Sequence, residues 1–258
     1  MKLLVCIKQV PDMESRFKPD AAGTWYTETD LAFRMNEYDE FAVEQAVQLR
    51  EKLGDDCDLT VLSIGPERVV EAIKKALAMG CDRAVHIQDG AASYKDPWQL
   101  ASIISAYAKD KGFDIIFTGM QSQDRSSAQV GVSLAEQLNM ACVTTLVGFS
   151  YDNGTITAKR ELEGGIKGIV RLKTPALVTC QLGLNTPRYP TLPNIMKAKK
   201  KEITAIPVAD LLKEESLATT ASFHAPAKKG GGTVLEGDVA DLVDKVIAIL
   251  KDKTAVLR

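Results

Sequence analysis

The residues best placed to do chemistry in this chain are suited to binding rather than to reaction. From Gly119 to Gln129 the sequence reads G-M-Q-S-Q-D-R-S-S-A-Q, between the apolar run 114–118 and a helical pattern over 130–138. A polar turn from a buried strand into a helix leaves Ser126, Ser127 and unpaired backbone N–H groups at the helix N-terminus, which favours phosphate. Arg125 could pair with such a phosphate, and Asp124 could cap the helix. The same residues equally suit a capped surface loop that holds no ligand. Reactive groups are scarce. His86 falls in a strand pattern as a core or edge residue, and His224 in a polar tail. Neither G-x-S-x-G, H-E-x-x-H nor G-x-x-x-x-G-K-[ST] occurs, and no G-x-G-x-x-G follows the first strand. Glu161 and Glu163, two apart on an expected strand, share a solvated face and do not read as an acid–base pair. Such a chain could move electrons only with a borrowed cofactor.

A second stretch, Leu184 to Lys201, reads L-N-T-P-R-Y-P-T-L-P-N-I-M-K-A-K-K-K. Pro187, Pro190 and Pro193 fix their own φ and push the preceding residues towards extended backbone. No helix is expected before Pro193 has passed. Tyr189, Leu192, Ile195 and Met196 look exposed, and Lys197, Lys199, Lys200 and Lys201 follow at once. A stiff loop with an apolar tip and a positive flank suits docking on an acidic-rimmed apolar pocket. A proline-rich link into an ordinary solvated helix fits the composition as well.

The elements around these stretches alternate. Apolar runs at 2–9, 59–64, 84–87 and 114–118 read as inner strands. Helical patterns follow from Asn36 to Gly54, from Glu67 to Gly80, from Asp96-Pro97 and from Val130. Alternation of this kind predicts a parallel sheet flanked by helices, with ligands at the strand C-termini. Residues 13–35, with an isolated Trp25, are irregular. Asp152-Asn153-Gly154 signals a hairpin, and the runs from 149 to 180 are expected as antiparallel additions on the sheet edge. In the tail, Lys228 to Gly232 has linker composition. Asp238–Leu250 reads as an amphipathic helix that packs on a partner subunit or back on its own sheet.

With 258 residues, 45 % hydrophobic and 26 % charged, the chain has one large domain or one domain plus an appendage. A net charge of −2 argues against non-specific nucleic-acid binding by the whole surface. No apolar run approaches the ~20 residues of a membrane span. The chain is expected to start directly in a buried strand, without a signal or transit peptide. Its five cysteines form no C-x-x-C pair. Cys6, Cys142 and Cys180 sit in apolar runs and read as small buried residues of a reducing cytoplasm.

The blocks Arg160–Thr179 (R-E-L-E-G-G-I-K-G-I-V-R-L-K-T-P-A-L-V-T) and Leu184–Lys201 resemble the signature of the β subunit of electron-transfer flavoproteins. The resemblance runs from Lys2 to about Lys201 and weakens in the tail. It implies an adenine nucleotide hydrolase-like α/β domain over 1–183 with an antiparallel edge hairpin, a partner recognition loop over 184–201, and a C-terminal arm over 202–258 that packs on the α subunit. It further implies AMP at the C-terminal edge of the sheet. The contacts carried over fall on Cys6, on Asn36, Glu37, Tyr38 and Asp39, on Ile64, and on Gly119, Met120, Gln121, Ser122, Gln123, Asp124, Arg125, Ser126, Ser127, Ala128 and Gln129. The redox FAD is held mainly by the α subunit. The resemblance also implies that Leu192 plugs into acyl-CoA-type dehydrogenases, with Tyr189, Ile195, Met196 and Lys197 around it, and that electrons pass to a quinone-linked oxidoreductase. One branch of the family instead binds a second FAD and accepts hydride from NADH. Its loop resembles D-G-D-T-A-Q-V-G. Here the loop reads D-R-S-S-A-Q-V-G, and Arg125 and Ser126 favour AMP. A stand-alone nucleotide-binding regulatory protein of the same α/β type is the remaining rival.

Overall fold

A computed structural model describes residues 1–224, 226 and 230–254. The first apolar run forms β1 (Lys2–Ile7), in which every residue after Lys2 is buried. Its side chains alternate between two cores. Leu3, Val5 and Ile7 join one cluster, and Leu4 and Cys6 the other, as the two-residue period of a strand requires. The run breaks at Lys8. Beyond it β2 (Gln9–Pro11) leaves the main sheet and pairs antiparallel with β3 (Phe33–Met35). Then follow α1 (Glu37–Leu53), β4 (Asp58–Gly65), α2 (Val70–Met79), β5 (Arg83–Gln88), α3 (Pro97–Ala108), β6 (Ile115–Gly119) and α4 (Val130–Gln137). Ala42, Val43, Ala46 and Val47 of α1 and Ile73, Ala76 and Leu77 of α2 pack on one face of the sheet. Ala101, Ile103 and Ile104 of α3 and Leu134 and Ala135 of α4 pack on the other. Both faces are thereby dry, which is why the inner strands are apolar throughout rather than alternating.

The later strands depart from expectation. β7 (Ala141–Asp152), β8 (Thr155–Glu161) and β9 (Lys167–Lys173) form antiparallel pairs. The β7–β8 turn has positive φ at Asn153 (42°) and Gly154 (79°), as the Asn-Gly signal predicts. β10 (Ala176–Cys180), however, is not an edge addition. It lies parallel between β6 and β7 in the order β11-β5-β4-β1-β6-β10-β7-β8-β9, where β11 is Ile203–Pro207. Its five residues are all buried. β7 runs parallel to β10, so only β8 and β9 extend the sheet in antiparallel fashion.

The proline-rich stretch also differs. A helix, α5 (Leu192–Ala198), begins at Leu192, with Thr191 as its N-cap and proline in its first turn. Pro193 lacks only an N–H that the first turn would leave unpaired, so it opens the helix instead of delaying it. Cys142 is exposed, against the expectation of burial, whereas Cys6, Cys57, Cys81 and Cys180 are buried. Trp25 is not isolated. It is buried and packs against Tyr26 and Phe223.

The chain divides into two compact units, Met1–Phe223 and His224–Arg258. The first extends past residue 202, where the sequence reading opened the arm, because β11 pairs with β5. The second contains α6 (Val239–Lys253), which exposes Val239, Val243, Val246 and Leu250. Lys228 and Lys229 of the expected linker lie outside the described residues. Among the described residues no helix is long and apolar enough to cross a membrane.

Candidate functional site

The strand order reverses at β1. The chain proceeds outward through β4 and β5 and returns to the far side as β6. A crevice opens at the strand C-termini beside such a switch point. Here it is lined by Cys6 of β1 and Lys8 after it, Ile64 to Pro66 at the end of β4, Thr118 to Ser122 at and beyond the end of β6, and Pro97, Leu100 and Ile104 of α3.

Asp39, from the first turn of α1, holds the crevice open. Its carboxylate accepts the Lys8 N–H at 2.7 Å and the Gly119 N–H at 3.1 Å. It therefore ties together the ends of β1 and β6, and this bond explains why β1 stops at Lys8. Asn36 precedes α1 as its N-cap residue but does not cap it through its side chain. Its amide instead donates to the Gln121 carbonyl at 2.8 Å and accepts the Gln123 N–H at 3.0 Å. Both side chains are buried, so α1 is fastened to the 119–129 loop at two points.

Burial pushes the Asp39 carboxyl up to about 7, against the pull of its N–H donors and of Lys8. A raised folded-state pKa means that the native protein holds a proton that the unfolded chain has released. Stability therefore falls as pH rises between the ordinary carboxylate range and about 7. We expect the thermal midpoint to decline from pH 5 to pH 7.5, and Asp39→Asn to flatten that part of the profile. An identical slope in the variant would refute the assignment.

In the 119–129 loop, Asp124 does not cap α4. Its side chain is buried and pairs with Lys8 Nζ at 2.6 Å. The N-cap of α4 is Gln129, which makes no side-chain capping bond, so the first turn keeps its N–H donors. Ser126 (φ 51°) and Ala128 (φ 52°) adopt left-handed backbone on either side of Ser127. The Ser126 N–H is taken by the Ser122 carbonyl at 2.8 Å, so an anion at this turn would be met by N–H groups from Ser127 onwards. Arg125 points away from it. Its guanidinium stacks on Trp25, 4.0 Å from the ring centroid, and donates to the Ser93 carbonyl.

Of the residues expected at the site, Cys6, Asn36, Asp39 and Ile64 line the crevice. So do Gly119, Met120, Gln121, Ser122, Arg125, Ser127, Ala128 and Gln129 of the loop. Glu37, Tyr38, Gln123, Asp124 and Ser126 stand behind that wall. Gln123 donates to Glu37 at 2.8 Å and Gln121 to the Tyr38 hydroxyl at 3.2 Å. The sequence reading missed Lys8, Arg68, Ser93 and Lys95, which also line the crevice. All four follow β1, β4 or β5, on the strand C-terminal edge where ligands are expected, but none stands in a local phosphate-binding pattern like that of the 119–129 loop.

On the far end of α1, Arg188 is clasped by Glu44 and Glu51. Beyond it Tyr189 is 94 % exposed, Leu192 79 % and Met196 57 %. Lys197 is exposed too, but Ile195 is half-buried against the core and does not belong to the tip.

A family model described as electron transfer flavoprotein domain matches residues 24–211. Proteins named electron transfer flavoprotein subunit beta are similar along the whole chain. The one from Bacillus subtilis (strain 168) is 36 % identical over 264 residues, covering all of both chains. That from Methylophilus methylotrophus is 34 % identical over 98 % of both. The Homo sapiens protein is 36 % identical over 95 % of this chain and 96 % of its own. A match of that length, joined to relatives that share more than a third of their residues over nearly the full sequence, means that the chain belongs to the electron transfer flavoprotein family as a β subunit.

Proposed function

We propose that this chain is half of a heterodimeric electron carrier of the cytoplasm. With an α subunit it accepts electrons from acyl-CoA-type dehydrogenases, in fatty acid or acyl-CoA oxidation, and passes them to a quinone-linked acceptor. The redox FAD is shared with the α subunit, and AMP is held in this chain's crevice as a structural ligand. The observation that carries the nucleotide reading is the length of the crevice. It runs from the first turn of α4, after β6, across β1 to Ile64–Pro66, after β4. Two strand spacings are about 10 Å, which suits the span of one nucleotide from phosphate to base. The turn at Ser127–Gln129 and the N–H groups of the first turn of α4 would hold the phosphate. Ile64, Leu100 and Ile104 offer an apolar wall for the base.

Arg125 supports AMP over a second FAD, because its side chain crosses to Ser93 and Trp25 where a longer ligand would have to continue. The two-flavin reading draws on Ala128–Gly131 alone. The exposed Tyr189–Leu192–Met196 tip and the apolar side chains of α6 support a chain with partners, against a stand-alone regulatory protein. The free cysteines support a reducing compartment.

The decisive experiment co-expresses the chain with its α subunit, denatures the pure complex and identifies the nucleotides released. One FAD and one AMP per heterodimer are expected. Two FAD and no AMP would make the chain the NADH-facing half of a bifurcating enzyme and overturn the role given to Arg125.

A further inference from the structure

Asp96 does more than start a helix. Its Oδ1 accepts the Gln99 N–H at 2.8 Å and so caps α3, one wall of the crevice. Its Oδ2 faces a segment more than a hundred residues away. There it accepts the Leu217 N–H at 2.6 Å, the Ala218 N–H at 2.9 Å and the Ser216 hydroxyl at 3.2 Å. Gln99, one turn into α3, adds a bond to the Glu214 carbonyl at 3.1 Å. Asp96 is 5 % exposed, and despite burial these donors hold its carboxyl below the usual carboxylate range.

From this lock the chain runs to Phe223. Its N–H bonds the Gly23 carbonyl, and its ring lies 6.2 Å from that of Trp25 and 6.1 Å from that of Tyr26. Trp25 in turn carries the Arg125 guanidinium, which reaches Ser93 on the opposite lip of the crevice. Glu28, three residues after Trp25, pins the same loop by accepting from Ser93 and Arg68. One continuous set of contacts therefore runs from the α3 cap, along residues 214–223, to the side chain that spans the outer end of the crevice.

We propose that residues 214–223 are a strap, locked by Asp96, that holds a Trp25–Arg125 gate shut over the nucleotide crevice. The partners named for the strap, Asp96, Gln99, Gly23, Trp25 and Tyr26, are not residues of the crevice lining; the strap sets how often the gate opens. Nucleotide exchange then requires the strap to lift, after which Trp25 loses its Phe223 support and Arg125 swings clear. The inference rests on the reading that the crevice takes an adenine nucleotide. Its mark is kinetic. A gate speeds or slows entry and exit together, whereas damage to the site speeds exit alone.

The test uses the α–β complex loaded with isotope-labelled AMP and chased with unlabelled AMP. In Asp96→Asn one acceptor remains, enough for the α3 cap or the strap but not for both. Loss of charge-assisted bonds shifts the open population by about tenfold. Release and uptake are both expected to accelerate about tenfold, with the dissociation constant changing less than about threefold. Phe223→Ala, which frees the other end of the strap without touching α3, is expected to do the same. Release that is unchanged in both variants, or that accelerates without uptake, overturns the strap. A wild-type complex that yields no adenine nucleotide beyond one shared FAD overturns the crevice reading together with it.

Discussion

Arg188→Ala is expected to cut electron acceptance from a dehydrogenase at least about tenfold while leaving the shared flavin bound. Arg188 is the last residue before the exposed tip. Its side chain makes hydrogen bonds to both carboxylate oxygens of Glu44, at 2.8 and 3.1 Å, and reaches Glu51 at 2.5 and 3.0 Å. Its backbone N–H adds another bond to Glu44 at 3.1 Å. Three residues earlier, the Asn185 amide donates to the Phe41 carbonyl at 3.1 Å. Positions 41, 44 and 51 lie along one side of α1, so the stretch before Tyr189 is stapled to a rigid helix. Burial works against ionisation of Glu44, yet the bonds to Arg188 and Gln48 hold its carboxyl below the usual range. Removing Arg188 leaves that buried carboxylate uncompensated, at a cost of about 3 kcal/mol, and frees the tip to point elsewhere. The two effects separate in Arg188→Ala/Glu44→Gln. The neutral amide restores thermal stability but leaves electron acceptance low, because nothing aims the loop. Leu192→Ala alone tests the docking role. If it transfers electrons normally, the tip is not the docking element. If it is impaired and Arg188→Ala adds nothing further, both act through one contact. Full recovery of transfer in Arg188→Ala/Glu44→Gln would show that Arg188 matters for stability only.

Which parts of this arrangement were legible beforehand follows from how local their causes are. The 119–129 loop could be read because strand, polar turn and helix are consecutive in the chain. The Asn153-Gly154 turn could be read because its backbone preference resides in two residues. The place of β10 could not. A run of five apolar residues suits an inner strand wherever it lies, and its neighbours β6 and β7 are fixed by tertiary packing. The start of α5 is not legible from its prolines, because the residue that breaks a helix in its interior is well tolerated at its head. Asp39 was placed at the site only through the family resemblance. Its two donors, Lys8 and Gly119, are 31 and 80 residues away. The same holds for Asp96, which read as a simple helix cap until Ser216 to Ala218 were found on its other oxygen. Side chains that fasten distant segments leave no local pattern, and in this chain they are the ones that shape the crevice.

Gly119→Ala is expected to have the largest effect of any single methyl group added near the site. A Cβ at this position would lie 2.2 Å from Asp39 Oδ1, 2.8 Å from Tyr38 Cβ and 3.1 Å from the Asp39 backbone N. None of these atoms is the free end of a flexible chain. Asp39 is packed in the first turn of α1, with its other oxygen on Lys8. Relief therefore requires α1 to move away from the end of β6. That movement strips the Lys8 and Gly119 N–H groups of their acceptor, and each buried donor so orphaned costs about 1–3 kcal/mol. It also pulls Asn36 from Gln121 and Gln123, which loosens the turn that leads into α4. We expect a loss of about 3–5 kcal/mol and, if the crevice takes AMP as proposed, a complex purified without it. Asp39→Asn separates sterics from bonding. It keeps the side chain's size and loses one acceptor, so it should cost only about 1–3 kcal/mol. If Gly119→Ala is no worse than Asp39→Asn, α1 can retreat at little cost, and the close approach of Gly119 to Asp39 is not what holds the crevice in shape.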